Sequence, residues 1–419
     1  MPPRTRNKSR PTPRPQSGVP QEAQEGIDGP LSLNCRLASL AEPPLFQINL
    51  SAPPRSRHRA ICLAYSRQIH EFVKVYDEIL ALTPFPRVLK ALAKHLMNKV
   101  HSKEETEEME GISEITGVPL HLVVAFNTFL DLFSGCISGG VKVKDAGEDA
   151  KSTGIVHFRN LDWGMEALRK MMISVEFVRN GVVVARAVTY AGYVGVLTGV
   201  RRGLSISLNY RSSVIAASHG NSPPPKFTKF HTKLHQMGLI LGFRPSISSY
   251  LRHLLLSPDP PPSLTSLAET LPSRPSSPCY LTFCSPEGVL VLEKDFTTAV
   301  VQTSDQFLTV TNHDRMMEAM GNETFKQFIE QERKAIDVGL LHDVLEDSRD
   351  RKERMTELFK AARPATITSR TVRDWIEAYP IANECTHFSC IMDPSVEGGG
   401  LVWVRAYIEP HEPEGDFLR

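Results

Sequence analysis

A thiol, a guanidinium and a carboxylate fall close together in residues 133–164, FSGCISGGVKVKDAGEDAKSTGIVHFRNLDWG. Cys136 follows a Ser-Gly step and opens a run with the composition of a strand. A second run, GIVHFRN, carries Arg159, and Asp162 comes three residues later. The two runs flank the polar DAGEDAK and read as a hairpin, with the thiol at its first residue and both charges at the far end of the returning strand. Gly135 frees the preceding peptide to twist. Attack by Cys136 on that carbonyl would cut the chain between Gly135 and Cys136 and give the cysteine a free α-amino group. With an unperturbed pKa of roughly 7.7 to 8.0, that amine can accept the proton of its own side chain, so no catalytic histidine is required. Arg159 near the sulfur would favour thiolate, and Asp162 could orient the amine.

The elements that must position these groups follow from periodicity. A short strand lies within PPLFQINLSAPP (43–54). Two amphipathic helices follow, over 57–83 and 86–99, and a third runs from Leu120 and is capped at Gly135. The acidic residues 103–117 lead into that third helix. Strands dominate from Cys136, with Asn180-Gly181 marking a tight hairpin turn. A break at 221–226 precedes two further helices, and Leu264–Leu271 is a short helix. A second set of strands begins at Cys279, charged helices fill 323–362, and two strands close the chain. The pattern predicts an α+β sandwich of two mainly antiparallel sheets covered by helices. Its organisation would be a disordered basic proline-rich tail (1–30), a mainly helical part (31–135) and a catalytic part (136–419).

With 41% hydrophobic residues and a net charge of +1, the composition is that of a globular chain able to bury a large core. Basic residues are scattered rather than gathered into a stripe, which argues against a nucleic-acid partner. The N-terminus lacks the apolar stretch of a secretory signal, which makes the cytoplasm the default location; a lysosomal or vacuolar one requires a gene start upstream of Met1. The seven cysteines show no CxxC spacing, so neither a disulfide framework nor a zinc site is expected. His231 and His235, four apart on a helix, lack a third ligand and read as a partly exposed helix face. Neither metal nor cofactor is implied.

The pieces GCIS and HFRNLDWG resemble the N-terminal-nucleophile amidohydrolases of the acid ceramidase and N-acylethanolamine-hydrolysing acid amidase group, related to bile-salt hydrolases. The likeness rests on Cys136, Arg159, Asn160 and Asp162, and PPLFQINLSAPPRSR is similar to the start of the small subunit. The resemblance implies an αββα fold and self-cleavage into associated pieces. It also implies hydrolysis of a lipid amide, ceramide or an N-acylethanolamine, with transient contact at a membrane surface. A catalytically silent, lipid-binding relative is the alternative from another class. By the same resemblance Asn312, in LTVTNHD, stabilises the oxyanion, and Arg333 is the arginine that follows it. Asn209 and Arg211 of SISLNYR support the substrate. Tyr210 stands where the group has a glutamate, and Ile137 where it has a small hydroxyl residue. The Leu- and Ile-rich helices over 230–256 are either the lining of an acyl channel or core.

Overall fold

The computed structural model describes residues 42–81, 86–129, 135–212, 226–321, 323–327, 330 and 342–410. The tail and Arg333 lie outside them. Strand alternation in one hairpin orders the molecule. β2 (Gly135–Ala146) and β3 (Ser152–Asp162) pair antiparallel, with Cys136 opposite Leu161 and Gly135 opposite Asp162. Alternate side chains of a strand face opposite ways. Cys136 therefore joins the core between the sheets, while Ile137, Val141 and Val143 pack on the other face. Two more strands, β12 (Thr386–Asp393) and β13 (Gly400–Ala406), extend one side of the hairpin. β11 (Phe307–Val310) closes the other, giving a five-stranded sheet ordered β11-β2-β3-β12-β13.

The second sheet has eight strands. From one edge they are β1 (Leu45–Asn49), β4 (Met172–Arg179), β5 (Val182–Tyr190), β6 (Thr198–Arg201), β7 (Leu204–Tyr210), β8 (Cys279–Cys284), β9 (Val289–Lys294) and β10 (Ala299–Ser304). β1 runs parallel to β4 and the other pairs are antiparallel. Asn180 and Gly181, at φ 52° and 81°, make the turn that joins β4 to β5. His157 of β3 spans the seam between the sheets, placing its ring nitrogens 3.0 and 2.8 Å from the hydroxyls of Ser205 and Ser207. Burial, then Arg159, push its pKa down to about 3.

Helices cover both outer faces. On the eight-stranded sheet lie α1 (Arg59–Ala81), α2 (Pro86–Leu96), α3 (Lys103–Thr116), α4 (Leu120–Phe129) and, after the short α5 (Glu166–Arg169) and α6 (Lys226–Ile240), α7 (Ile247–Leu256). The short α8 (Leu264–Thr270) follows. Against the five-stranded sheet, α9 (His342–Ala361) and α10 (Ser369–Glu377) bury Met355, Val372, Trp375 and Ile376 on Ile137, Val156, Phe158 and Ile391. The result is the predicted α+β sandwich in four layers.

Four local expectations are corrected. Gly135 is a strand residue rather than a left-handed helix cap: it opens β2 without a positive φ, and α4 is described as far as Phe129. The acidic 103–117 is itself helical, with Ser102 as N-cap, because Met109, Ile112 and two buried glutamates form its inward face. α10 was not anticipated from its mostly polar sequence, although Val372, Trp375 and Ile376 sit at helical spacing. His235 is buried rather than partly exposed; it packs edge-on against Phe296 and is pushed down to about 4 by burial, then Arg244.

The buried glutamates tie the N-terminal helices to the rest. Glu108 receives Arg252 of α7 through paired bonds of 2.7 and 2.8 Å, Arg57 at 2.8 Å and His58 at 3.4 Å. Burial opposes its charge, yet Arg252 and His58 overrule burial and hold the carboxyl well below its usual range. Glu105 accepts from Ser249 Oγ at 2.7 Å, and there burial wins over Arg252 and raises the pKa. A raised carboxyl gives stability below its unfolded pKa of roughly 4.3 and loses it as pH climbs through the folded value. A depressed one keeps its contribution until pH falls through the folded value. Glu105→Gln should therefore gain more in thermal midpoint over wild type at pH 7 than at pH 4.5; equal shifts would contradict this sign. Glu108→Gln should lose stability at both.

Candidate active site

The hairpin register and the facing strand β7 bring Cys136, Arg159 and Asn209 together. Cys136 has no exposed surface, and its Sγ lies 2.9 Å from Arg159 Nη2. The same guanidinium nitrogen donates to the Leu208 carbonyl at 2.6 Å, and Nη1 donates to Asn209 Oδ1 at 2.5 Å. Asn209 is in turn fixed by Ser138 Oγ at 3.0 Å and by its own donation to the Val310 and Thr311 carbonyls, both at 3.2 Å. A cation locked this way beside sulfur favours the thiolate.

Asp162 sits three residues from Arg159, so strand alternation turns it to the other face of β3. It accepts from Thr386 Oγ1 at 2.6 Å and forms an ion pair with Arg351 of α9, both side chains being almost wholly buried. Arg351 Nη2 also donates to Asn312 Oδ1 at 3.3 Å, and that oxygen accepts the Cys136 backbone N–H at 2.8 Å. Asp162 therefore reaches the Cys136 nitrogen through Arg351 and Asn312. The Asn312 NH2 donates to the Tyr210 carbonyl at 2.9 Å, and its backbone N–H donates to Ser348 Oγ at 2.8 Å.

The remaining predicted residues serve as supports. Arg211 grips both carboxylate oxygens of Asp314 at 2.7 Å and Asp295 at 2.9 Å, which fixes the turn that carries Asn312. Asn160 points to the helical layer, where it donates to the Ile376 and Ile381 carbonyls at 2.7 and 3.0 Å. Arg351, missed by sequence reading, makes the contacts to Asp162 and Asn312. Its signal was the 3–4 spacing of Ser348, Arg351 and Met355, the buried side of an otherwise charged helix. Among the described residues, no group of three His, Cys, Asp or Glu could hold a metal ion. No helix among them is long and apolar enough to cross a membrane.

Two stacked sheets between helical layers, with a cysteine opening a central strand, are the layout anticipated for an N-terminal-nucleophile hydrolase. The family profile described as the beta subunit of N-acylethanolamine-hydrolyzing acid amidase matches residues 41–101. Rat acid ceramidase is 31% identical over 189 residues, 41% of this chain and 46% of that protein. Human acid ceramidase is 30% identical over the same shares. A probable acid ceramidase of Caenorhabditis elegans is 30% identical over 183 residues, 39% and 44% of the two chains. A solved structure of the C. elegans N-acylethanolamine-hydrolyzing acid amidase ortholog superposes more loosely, at TM-score 0.42 and 23% identity over 62% of this chain and 93% of that one. Over these stretches the chain is similar to acid ceramidases and to the beta subunit of N-acylethanolamine-hydrolyzing acid amidase, and its match spans about half the length of the curated relatives.

Proposed function

We propose that the protein is a self-cleaving cysteine amidohydrolase of lipid amides, ceramidase-like, with N-acylethanolamines and other N-acyl amides as alternative substrates. The observation that carries this reading is the pairing at Cys136: a sulfur 2.9 Å from a buried arginine, and a nitrogen held by Asn312 Oδ1. In the first event, Cys136 Sγ adds to the Gly135 carbonyl carbon, the C–N bond breaks, and the nitrogen takes the thiol proton. Water then hydrolyses the thioester, leaving the Gly135 carboxylate and the free Cys136 amine. Because Cys136 has no exposed surface before the cut, a path to the sulfur must open for turnover.

In the lipid reaction the thiolate adds to the amide carbon and the α-ammonium protonates the departing amine. Water, deprotonated by the α-amine, then releases the fatty acid. Asn312 orients that amine through Oδ1, and its NH2 serves the oxyanion once it leaves the Tyr210 carbonyl. The N-terminal fragment stays as partner through β1 and the Glu108 cluster. Exposed Leu234, Met237 and Phe243, with Lys99 over the Phe243 ring at 5.1 Å, suit brief contact with a lipid surface.

The test is intact mass together with fatty-acid release from ceramide and from an N-acylethanolamine. Two chains meeting at Gly135/Cys136, with release from either lipid, are expected. A chain that stays whole and inert at acidic pH favours the silent relative. Asn312→Ala should lower turnover about 10²–10³-fold, read as kcat.

A further inference from the structure

Asn312 belongs to no strand or helix; it lies two residues beyond the end of β11. Its side chain bonds Cys136 and Tyr210, and a loop residue keeps such an aim only if its backbone is held as well. That hold comes from α9. Ser348 Oγ, with no exposed surface, lies 2.8 Å from the Asn312 nitrogen and accepts its N–H. Arg351, three residues on and therefore on the same face of the helix, reaches Asn312 Oδ1 at 3.3 Å. One face of α9 thus grips both the main chain and the side chain of the same residue.

Ser348 is anchored in turn by the residues on either side of Asn312. Its oxygen lies 2.8 Å from His313 Nδ1 and 3.0 Å from Thr311 Oγ1, and those two atoms are 3.1 Å apart. Thr311 and His313 are 0% and 1% exposed, and Phe325 packs edge-on against the imidazole. Burial, then Lys352, push the His313 pKa down to about 3, so the ring stays neutral. A hydroxyl has one hydrogen to give and two lone pairs to offer. With the imidazole hydrogen on Nδ1, the ring can donate to Ser348 Oγ while the hydroxyl donates to Thr311. With it on Nε2, the hydroxyl donates to Nδ1. Either tautomer leaves Ser348 a lone pair for the Asn312 N–H.

From this geometry we infer that Ser348, anchored by His313, is a positioning residue for Asn312: its hydroxyl fixes the backbone from which the amide is aimed at the Cys136 nitrogen and the oxyanion. The inference rests on the proposed roles of Cys136 and Asn312. It makes the buried face of α9, far along the chain from the nucleophile, part of what sets the rate.

The test follows the full-length protein by the rate at which the chain starting at Cys136 appears in intact mass, and by fatty-acid release from ceramide, as kcat and KM per cleaved chain. Ser348→Ala should slow both processes about 10- to 10²-fold, the cost of a slightly misplaced catalytic group, and leave KM within about twofold. Ser348→Thr, which keeps the hydroxyl, should recover most of both rates. In an Asn312→Ala background, Ser348→Ala should cost no more than about twofold further, because its effect passes through the missing amide; a purely structural loss would cost the full factor again. His313→Leu should lower kcat about fivefold and carries the test should Ser348→Ala melt early. An unchanged kcat in the variant that folds overturns the assignment, and so does strict additivity with Asn312→Ala. Hydrogen exchange of the peptide 308–314, read by mass spectrometry, should quicken about tenfold in Ser348→Ala. If wild type hydrolyses neither ceramide nor an N-acylethanolamine, the amidase reading fails; faster exchange then keeps Ser348 as the anchor of Asn312, and unchanged exchange overturns that as well. If wild type is active and the variants leave kcat unmoved, the Ser348 assignment alone falls.

Discussion

Cys136→Ala is expected to leave the chain as one polypeptide and to release no fatty acid, a loss of at least about 10³-fold in turnover, because in the proposed scheme bond cleavage in both reactions begins on that sulfur. The substitution removes a single atom from a site with no exposed surface. The surrounding Arg159, Asn209 and Leu208 contacts do not depend on the thiol, so the thermal midpoint should move little, about 1 kcal/mol or less in stability. Intact mass and melting on the same sample separate the two readouts. Residual activity in a folded, uncut alanine variant would remove Cys136 from the mechanism.

Arg351→Met should cost about 3–5 kcal/mol of folding stability, since it strands the Asp162 carboxylate in the interior with Thr386 as its remaining side-chain donor. It should also slow self-cleavage, because Arg351 steadies Asn312 Oδ1 against the Cys136 nitrogen. The pair can be tested as a cycle. Asp162→Asn with Arg351→Met removes both charges, and the double variant should recover a large part of the stability lost in the Arg351 single variant. Strict additivity in urea titrations would mean that the pair is not coupled. Recovery of stability without recovery of cleavage would place the role of Arg351 at Asn312 rather than in the fold.

The hairpin at Cys136 was legible because its polar tip and two strand-like runs are local signals, and the register follows from them. The meander through β4–β7 was legible for the same reason, with Asn180-Gly181 fixing one turn. What could not be read was any choice made by partners distant in sequence. Glu108 sits inside a helix whose composition suggests a solvated segment, and partners distant in sequence, Arg57, His58 and Arg252, make its burial tolerable. Arg351 is one arginine among several in SRDRKER; its selection depends on Asp162, 189 residues earlier. Arg333 was chosen by likeness to a motif and lies outside the described residues. Spacing placed Arg159 and Asp162 side by side, but strand parity puts them on opposite faces of β3, so the carboxylate works through an intermediary.

β1 precedes the Gly135–Cys136 bond in the chain yet is an edge strand of the eight-stranded sheet, hydrogen-bonded along β4. Scission there would not yield two independent proteins, any more than cutting one thread frees it from a weave. Separately encoded halves, 1–135 and 136–419, would have to find each other while still folding, which makes this bond a natural place to divide the gene for complementation.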